Sequence, residues 1–535
     1  MQRAEPPPSL RRQWLAQRPR RLSQRFYQVL TAILLAVFAL LLIWPVATVI
    51  ITGFTTRSGE FTLAYTRLLL EDPVVWRGLG NALSIAVSTT LLCLVISLPL
   101  AVLSTRFEFP GRALVSSLLL MPLILPPFVG ALGMRLVLAR FGPITQVFAP
   151  DSATGVDWLG SLRVGGVIVV EALGLYPILL LSLQSALANV DPTLERAAQN
   201  LGASRWTTFW RVTFPLVRPG LFAGATLVFI WSFTELGTPL MFQVYEVTPV
   251  QVFNQLSELD NPLPHALVVV MLVASGLLYL VGKVFLGRSA VPPATKVLRA
   301  GAGKRLGGLS GTLALVPFGF VLSLSLLPHV AVVLTSLSTT GAWYRSLIPR
   351  ELTGRHYVEA LQDELVMPSF DAGHFTPGAI GNSILYATLA TMLGMVLALA
   401  TAVVVVRSQV RLRWLLDVLA TLPLAVPGLV LAFGYLSIGV TLKRLLGDST
   451  PAFLDVQRWP VLFLVLAYAT RRMPYFVRSA VAGLEQTPPV LELSARNLGA
   501  SLGVTLRRIT LPLIMANLLA GGLMAFTFAL LEVSD

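Results

Sequence analysis

Histidine and cysteine are almost absent from this chain: its 535 residues hold four histidines and one cysteine. The lone thiol, Cys93, sits inside an apolar run, can close no intrachain disulfide and reads as a small buried hydrophobe. His265, His329, His356 and His374 lie far apart, without metal-ligand spacing. A nucleotide-binding loop is missing too, since Gly301-Ala-Gly-Lys-Arg305 has neither the spacing nor the hydroxyl of G-x-x-x-x-G-K-[ST]. With no nucleophile motif and no cluster of acids, the residues nominate no catalytic group, no cofactor and no metal. Charge is scarce as well, at 12% of residues, about half of what a soluble domain carries.

What the chain has in place of charge is apolar length. Hydrophobic residues make up 55% of it, gathered in runs of about 20, enough to cross a hydrocarbon layer of about 30 Å. Such runs lie near 29–53, 81–104, 113–138, 164–187, 220–240 and 263–286, and again near 312–335, 382–406, 414–442, 460–481 and 516–531. The expectation is an all-α polytopic membrane protein bathed in lipid. The net charge of +14 comes from Lys and Arg in short loops, as the positive-inside rule has it. No basic groove interleaved with aromatics points to nucleic acid. The layout that follows is a basic cytoplasmic N-terminus over 1–28, a first transmembrane unit over 29–286, a basic cytoplasmic linker over 287–310 and a second unit over 311–535.

The second unit repeats the first. Leu194-Glu-Arg-Ala-Ala-Gln-Asn-Leu-Gly-Ala-Ser204 returns as Leu491-Glu-Leu-Ser-Ala-Arg-Asn-Leu-Gly-Ala-Ser501. At one constant offset Glu195 pairs with Glu492, Ala198 with Ala495, Gly202 with Gly499 and Pro215 with Pro512. Arg106 also matches Arg407, and Met121-Pro-Leu-Ile-Leu-Pro126 matches Leu422-Pro-Leu-Ala-Val-Pro427. Each copy reads as a short amphipathic helix, stopped by a glycine in the left-handed region. A second short helix is capped by Ser204 in the first copy, and Pro215 is expected to break it before the next apolar run. After Glu235 the first unit runs on through a further helix to Leu286, whereas after Glu532 the second stops at Asp535. The repeat therefore predicts a last helix that appears missing from the second unit.

These two segments resemble the cytoplasmic EAA coupling loop in permeases of binding-protein-dependent ABC importers. In both, a proline of the I-x-L-P type stands thirteen residues after the glycine, in Val212-Thr-Phe-Pro215 and Ile509-Thr-Leu-Pro512. One departure is that the family's usual glutamate position holds Arg196 and Leu493, with Glu195 and Glu492 one residue earlier. The resemblance implies two parallel six-helix repeats of the type I permease fold, fused in one inner-membrane chain. It implies an ATP-binding cassette dimer on the cytoplasmic side and a periplasmic solute-binding protein on the other. Glu195, Ala198, Gly202, Pro215, Glu492, Ala495, Gly499 and Pro512 would then couple to the ATPase. The double-length arrangement, with Phe233-Thr-Glu-Leu-Gly-Thr-Pro-Leu-Met-Phe242, is most similar to ferric-iron permeases, with thiamine and phosphonate importers as alternatives.

Prolines and charges inside the spans nominate a pathway. Pro126 and Pro427 free backbone carbonyls where a pathway could use them, although kinks serve packing equally well. A charge at the bilayer centre costs about 2.5–3.5 kcal/mol, so Arg135, Glu171, Glu235, Arg471, Arg472 and Glu532 need partners. Symmetry makes Glu235 and Glu532 candidates for a gate near the outer ends of equivalent helices, or else interfacial residues paired with loop cations. The segment 341–378, with Trp343, Tyr344, His356, Tyr357, Phe370 and Phe375, is a candidate docking surface for the binding protein. A rival class is a secondary transporter with parallel repeats, which would have no paired coupling loops.

Overall fold

The structure, a computed structural model, describes residues 21–56, 58–123, 127–255, 262–286, 304–341, 343–363, 365–367, 369–371, 374–376, 378–424 and 426–532. The basic residues before 21, most of the linker and Pro126 thus lie outside the described residues.

Helices dominate, and the longest begin where polar caps meet apolar runs. The first, α1 (Arg21–Phe38), passes through a π-turn at Ala39–Ile43 into α2 (Trp44–Gly53). Asp72 opens α3 (Pro73–Arg106), its carboxylate accepting from the Val74 N–H at 2.8 Å ahead of Pro73 at the first turn. Next come α4 (Arg112–Leu118) and α5 (Pro127–Val137), then α6 (Trp158–Ala188), capped by Asp157 through the Gly160 N–H at 2.9 Å. The first duplicated segment supplies α7 (Pro192–Asn200) and leads into α8 (Phe214–Phe233), followed by α9 (Pro262–Leu286). The second half contributes α10 (Val316–Ser336), α11 (Gly378–Arg407), α12 (Arg413–Thr421), α13 (Gly428–Leu446), α14 (Val461–Gln486), α15 (Pro489–Asn497) and α16 (Leu511–Leu530). Strands are short: β1 (Phe107–Glu108) pairs in parallel with β2 (Lys304–Arg305), and β3 (Ser369–Asp371) with β4 (His374–Thr376) in a hairpin.

Among the described residues, eight helices are long and apolar enough to cross a membrane, or nine if one bent pair counts as a span. In that pair, segments 112–123 and 128–137 turn by 96°. Trp414–Leu442, expected as one span, is likewise broken: a 3-10 turn at Leu422–Leu424 separates α12 from α13, and Pro427 stands extended and buried just ahead of Gly428. Proline at 427 biases its predecessor away from helix, and its own missing donor costs nothing at a helix start. The run 220–240 is corrected too. The helix there begins at Arg205, ends at Phe233 and is followed by a separate short helix, Gly237–Met241.

The chain packs as two compact units that do not follow its linear order. Of the described residues, those within 1–45, 386–424 and 461–529 form one, and those within 46–385, 425–460 and 530–535 form the other. In the first unit Leu34 and Phe38 of α1 are buried in one cluster with Ala398 and Ala402 of α11, Leu416 of α12, Met473 and Val477 of α14 and Ile514 of α16. In the second unit α10 joins the helices of the first half, and a β-carbon on Gly133 of α5 would sit only 1.8 Å from the Pro328 carbonyl of α10.

The same small-residue contact recurs in each unit. A β-carbon on Gly224 of α8 would lie 2.7 Å from Ser182 Cβ of α6, and one on Gly521 of α16 would lie 2.5 Å from Ser479 Cβ of α14. Without a hydrophobic driving force between helices in lipid, such close backbone approach is how spans hold together.

Candidate functional site

Each duplicated segment is a helix, a glycine turn and a second helical stretch. Asp191 caps α7, accepting from the Thr193 N–H at 2.8 Å, with Pro192 in the first turn. The end is a Schellman turn: the Ala203 N–H reaches the Ala198 carbonyl at 3.0 Å and the Gly202 N–H reaches that of Gln199 at 2.9 Å. In the second copy the Ala500 N–H bonds the Ala495 carbonyl at 3.0 Å and the Gly499 N–H that of Arg496 at 3.1 Å. The glycines take φ of +89° and +92°, a region that disfavours any β-carbon. Ser204 and Ser501 then cap the next stretch through the Thr207 and Val504 N–H groups.

Pro215 and Pro512 do not break the helix that follows, contrary to the sequence expectation. A π-turn at Phe209–Thr213 precedes α8, with the Phe214 N–H bonded to the Phe209 carbonyl, and one at Leu506–Thr510 precedes α16 in the same way. Each proline sits exposed in the first turn after that widened turn, where its lost donor and its ring are accommodated. The same device stands before Pro45, where the Trp44 N–H bonds the Ala39 carbonyl.

Glu195 and Glu492 turn inward. Glu195, in the first turn of α7, accepts from Arg106 Nη2 and from Thr213 Oγ1 on one oxygen, Oε1, both at 2.6 Å. Glu492 takes Arg407 Nε on Oε2 at 3.0 Å and Thr510 Oγ1 on Oε1 at 3.1 Å. Arg407 also donates through Nη2 to the carbonyls of Leu484 and Thr487, at 3.0 and 2.9 Å, closing the C-terminal end of α14. These side chains are mostly shielded, at 22% and 20% exposure for Arg106 and Glu195 and 11% and 16% for Arg407 and Glu492. The repeat aligns Arg106 with Arg407 but does not reveal their role or that of Thr213 and Thr510. The signal was present in the matched Val-Thr-Phe-Pro and Ile-Thr-Leu-Pro endings.

Outward, the segments present apolar surface. Leu201 and Leu498, just ahead of the two glycines, are 88% and 90% exposed. Ala198 and Ala495 are half-buried. The first copy adds Trp206 and Trp210, stacked edge to face with centroids 5.6 Å apart.

The pathway candidates have separate surroundings. Glu235 is half-buried after α8, its Oε1 accepting from the Thr238 N–H at 3.4 Å; Glu532 is half-buried after α16. Glu171 of α6 is fully enclosed, with Ser232 Oγ donating to Oε2 and Thr89 Oγ1 at 3.5 Å from the same atom. Arg472 of α14, 5% exposed, donates to the Phe528 carbonyl at 2.9 Å and lies over the Tyr468 ring, while Arg478 meets Asp417 at 3.3 Å. Those pairings explain how so charged a helix stays packed.

Between the start of the segment 341–378 and residues 136–143, a cavity of about 470 Å³ is lined by Arg140, Phe141, Trp343, Tyr344 and His356, among others. Arg345 lies over the Phe141 ring at 4.8 Å and donates to the Ala153 carbonyl at 2.9 Å. His356 Nε2 is 3.1 Å from the Ser338 carbonyl, and the Tyr357 hydroxyl is 2.7 Å from Ser336 Oγ. Phe370 and Phe375 are cross-strand partners in the β3–β4 hairpin.

The family model for the inner membrane component of binding-protein-dependent transport systems matches residues 94–290 and again 390–534. The chain belongs to that family. As a permease of this kind it is a transport component, and both of its matches contain one duplicated segment with its Glu–Arg–Thr cluster. It is 25% identical over 511 residues to the putative ferric transport system permease protein FbpB 1 of Haemophilus influenzae, spanning 94% of this chain and 76% of that one. With the ferric transport system permease protein FbpB of Actinobacillus pleuropneumoniae it shares 26% over 512 residues, 94% of this chain and 70% of the other. The molybdenum transport system permease protein ModB of Escherichia coli is 33% identical over 178 residues, 33% of this chain and 74% of that protein.

Proposed function

We propose that this permease carries ferric iron across a bacterial inner membrane, taking it from a periplasmic binding protein and driven by a separate ATPase dimer. The observation that carries the choice of solute is the extent of likeness. The relatives named for ferric transport run along 94% of the chain, through both family matches, whereas the molybdenum permease matches a third of it.

In this reading the N-terminus and both duplicated segments face the cytoplasm. Each segment docks on one ATPase subunit with the exposed face that bears Leu201 or Leu498. Closure of the ATPase dimer on ATP then moves the two segments and changes which side of the permease is open. The segment 341–378 receives the binding protein, and Glu235 and Glu532, with Pro126 and Pro427, belong to the route of the ion. Ferric ion is a hard cation that suits oxygen ligands, and carboxylates along the route fit such a cargo.

The test is uptake of radiolabelled ferric ion into proteoliposomes holding the permease, its ATPase and its binding protein, with molybdate, sulfate, thiamine and a phosphonate as competitors. The proposal expects ATP-dependent iron uptake that none of the four competes away. Transport of one of them without iron would replace the solute and leave the permease assignment standing.

A further inference from the structure

We infer that Arg106 and Arg407 are positioning residues, each bracing its duplicated segment to the neighbouring spans so that motion of the segment becomes motion of the spans. The inference rests on the reading of these segments as ATPase-coupling loops.

Without the brace, α7 is joined to α8 through the Gly202 turn, the short stretch Arg205–Thr208 and the π-turn Phe209–Thr213. A link through a glycine in the left-handed region is a swivel, and on its other side α7 hangs from α6 by residues 189–191: pushing α7 could rotate it without turning α8. The Glu195 carboxylate supplies a cross-brace beyond these two chain links. On its Oε1 converge the last residue of α3, through Arg106, and the last residue of the π-turn that enters α8, through Thr213. Two elements, one of them 89 residues away in sequence, thus meet on one atom of α7, and a segment cross-braced in this way transmits a twist that one held by its chain links alone does not.

The second copy is built alike and held more firmly. Glu492 joins the end of α11 through Arg407 to the π-turn before α16 through Thr510. Arg407 adds the carbonyls of Leu484 and Thr487 at the C-terminal end of α14. Isolated exposed ion pairs are weak, but these are charge-assisted, shielded and tied to a hydroxyl 3–4% exposed. The same cluster occurs twice although the residue after the glutamate is Arg196 in one copy and Leu493 in the other. An acid committed inward in this way is not the group that meets the ATPase. Its role is to make the docked helix and the spans move together.

The experiment measures solute moved per ATP hydrolysed in proteoliposomes of the full complex, with ATPase co-purification read in parallel. Arg106→Ala and Arg407→Ala should keep co-purification and ATP hydrolysis within about twofold while solute per ATP falls about tenfold, equivalent to about 1.4 kcal/mol of lost coupling. The reversed pair Arg407→Glu with Glu492→Arg should recover part of that loss. Arg407→Ala should cost more than Arg106→Ala, having more bonds to lose. Should Arg407→Ala fail to assemble, Thr510→Val, which removes one hydroxyl bond to Glu492, decides, with an expected fall of about two- to threefold. An unchanged ratio in the assembled variants overturns the inference, as does loss of ATPase binding in step with uptake, which marks a docking role. A wild-type chain that binds no ATPase sinks the coupling reading itself, and a different solute leaves the ratio measurable with that solute.

Discussion

Replacing Gly202 and Gly499 separates backbone geometry from packing unusually cleanly. Both glycines sit at φ near +90°, and a β-carbon at either would meet nothing within 4 Å. Any penalty for a larger residue is therefore conformational. An L-residue in the left-handed region costs about 1–2 kcal/mol, asparagine less and β-branched residues more. Valine would thus favour opening the Schellman turn by about tenfold or more, releasing the bonds to Ala198 and Gln199, or to Ala495 and Arg496. The expected order of activity at both positions is Gly, Asn, Ala, Val. Solute-stimulated ATP hydrolysis of the reconstituted complex is the assay, with the melting temperature of the permease alone as control. Equal damage from Asn and Val would refute the reasoning, since both add a side chain of similar size and it is the tolerance of the left-handed region that ranks Asn above Val.

Other consequences follow from the same geometry. Leu201→Asp and Leu498→Asp should leave the melting temperature of the isolated permease unchanged, because surface changes at such exposed sites cost within about 0.5 kcal/mol, yet reduce ATPase co-purification. Gly224→Leu and Gly521→Leu should lower it, since Ser182 and Ser479 already lie where a β-carbon would go and overpacking costs about 1–3 kcal/mol; Gly319→Ala on α10, with open space around it, should not. Asp455, buried beside Lys443 at 3.0 Å, has its carboxyl held below the ordinary range chiefly by the Lys443 hydrogen bond. A depressed folded value means the contribution is complete above the ordinary carboxylate range of about 3.9 and is lost as pH falls through the folded value. Asp455→Asn should flatten the acid limb of the stability profile, read as melting temperature against pH.

The spans and the duplication were legible because they rest on long apolar runs and on repeated residues, signals that survive without tertiary information. The glycine turns were legible for the same local reason: Gly202 and Gly499 end amphipathic stretches, and the backbone needs a left-handed residue there. Pro215 misled because a proline rule read from sequence assumes an α-helical register, and the π-turn at Phe209–Thr213 changes the register just ahead of it. At Trp414–Leu442 the sequence marks Pro427 as a kink but reads one span through it, because the apolar run on both sides records burial and not direction. Partner choice was the least legible feature. That Glu195 would find Arg106, and Glu492 Arg407, depends on where the ends of α3 and α11 come to lie, and this is a property of packing. The compact units make the same point, since α1 is buried among second-half helices and α10 among first-half helices, an exchange that no local pattern encodes.

The central claim is that both duplicated segments meet one ATPase on one side of the membrane. Asn200 and Asn497 are exposed equivalents within those segments, and the native thiol Cys93 is buried. On a Cys93→Ser background, Asn200→Cys and Asn497→Cys can be labelled with an impermeant maleimide in membrane vesicles of known orientation. The account predicts that both label from the cytoplasmic face only and that adding the ATPase protects both; labelling from opposite faces, or protection of neither, would contradict it.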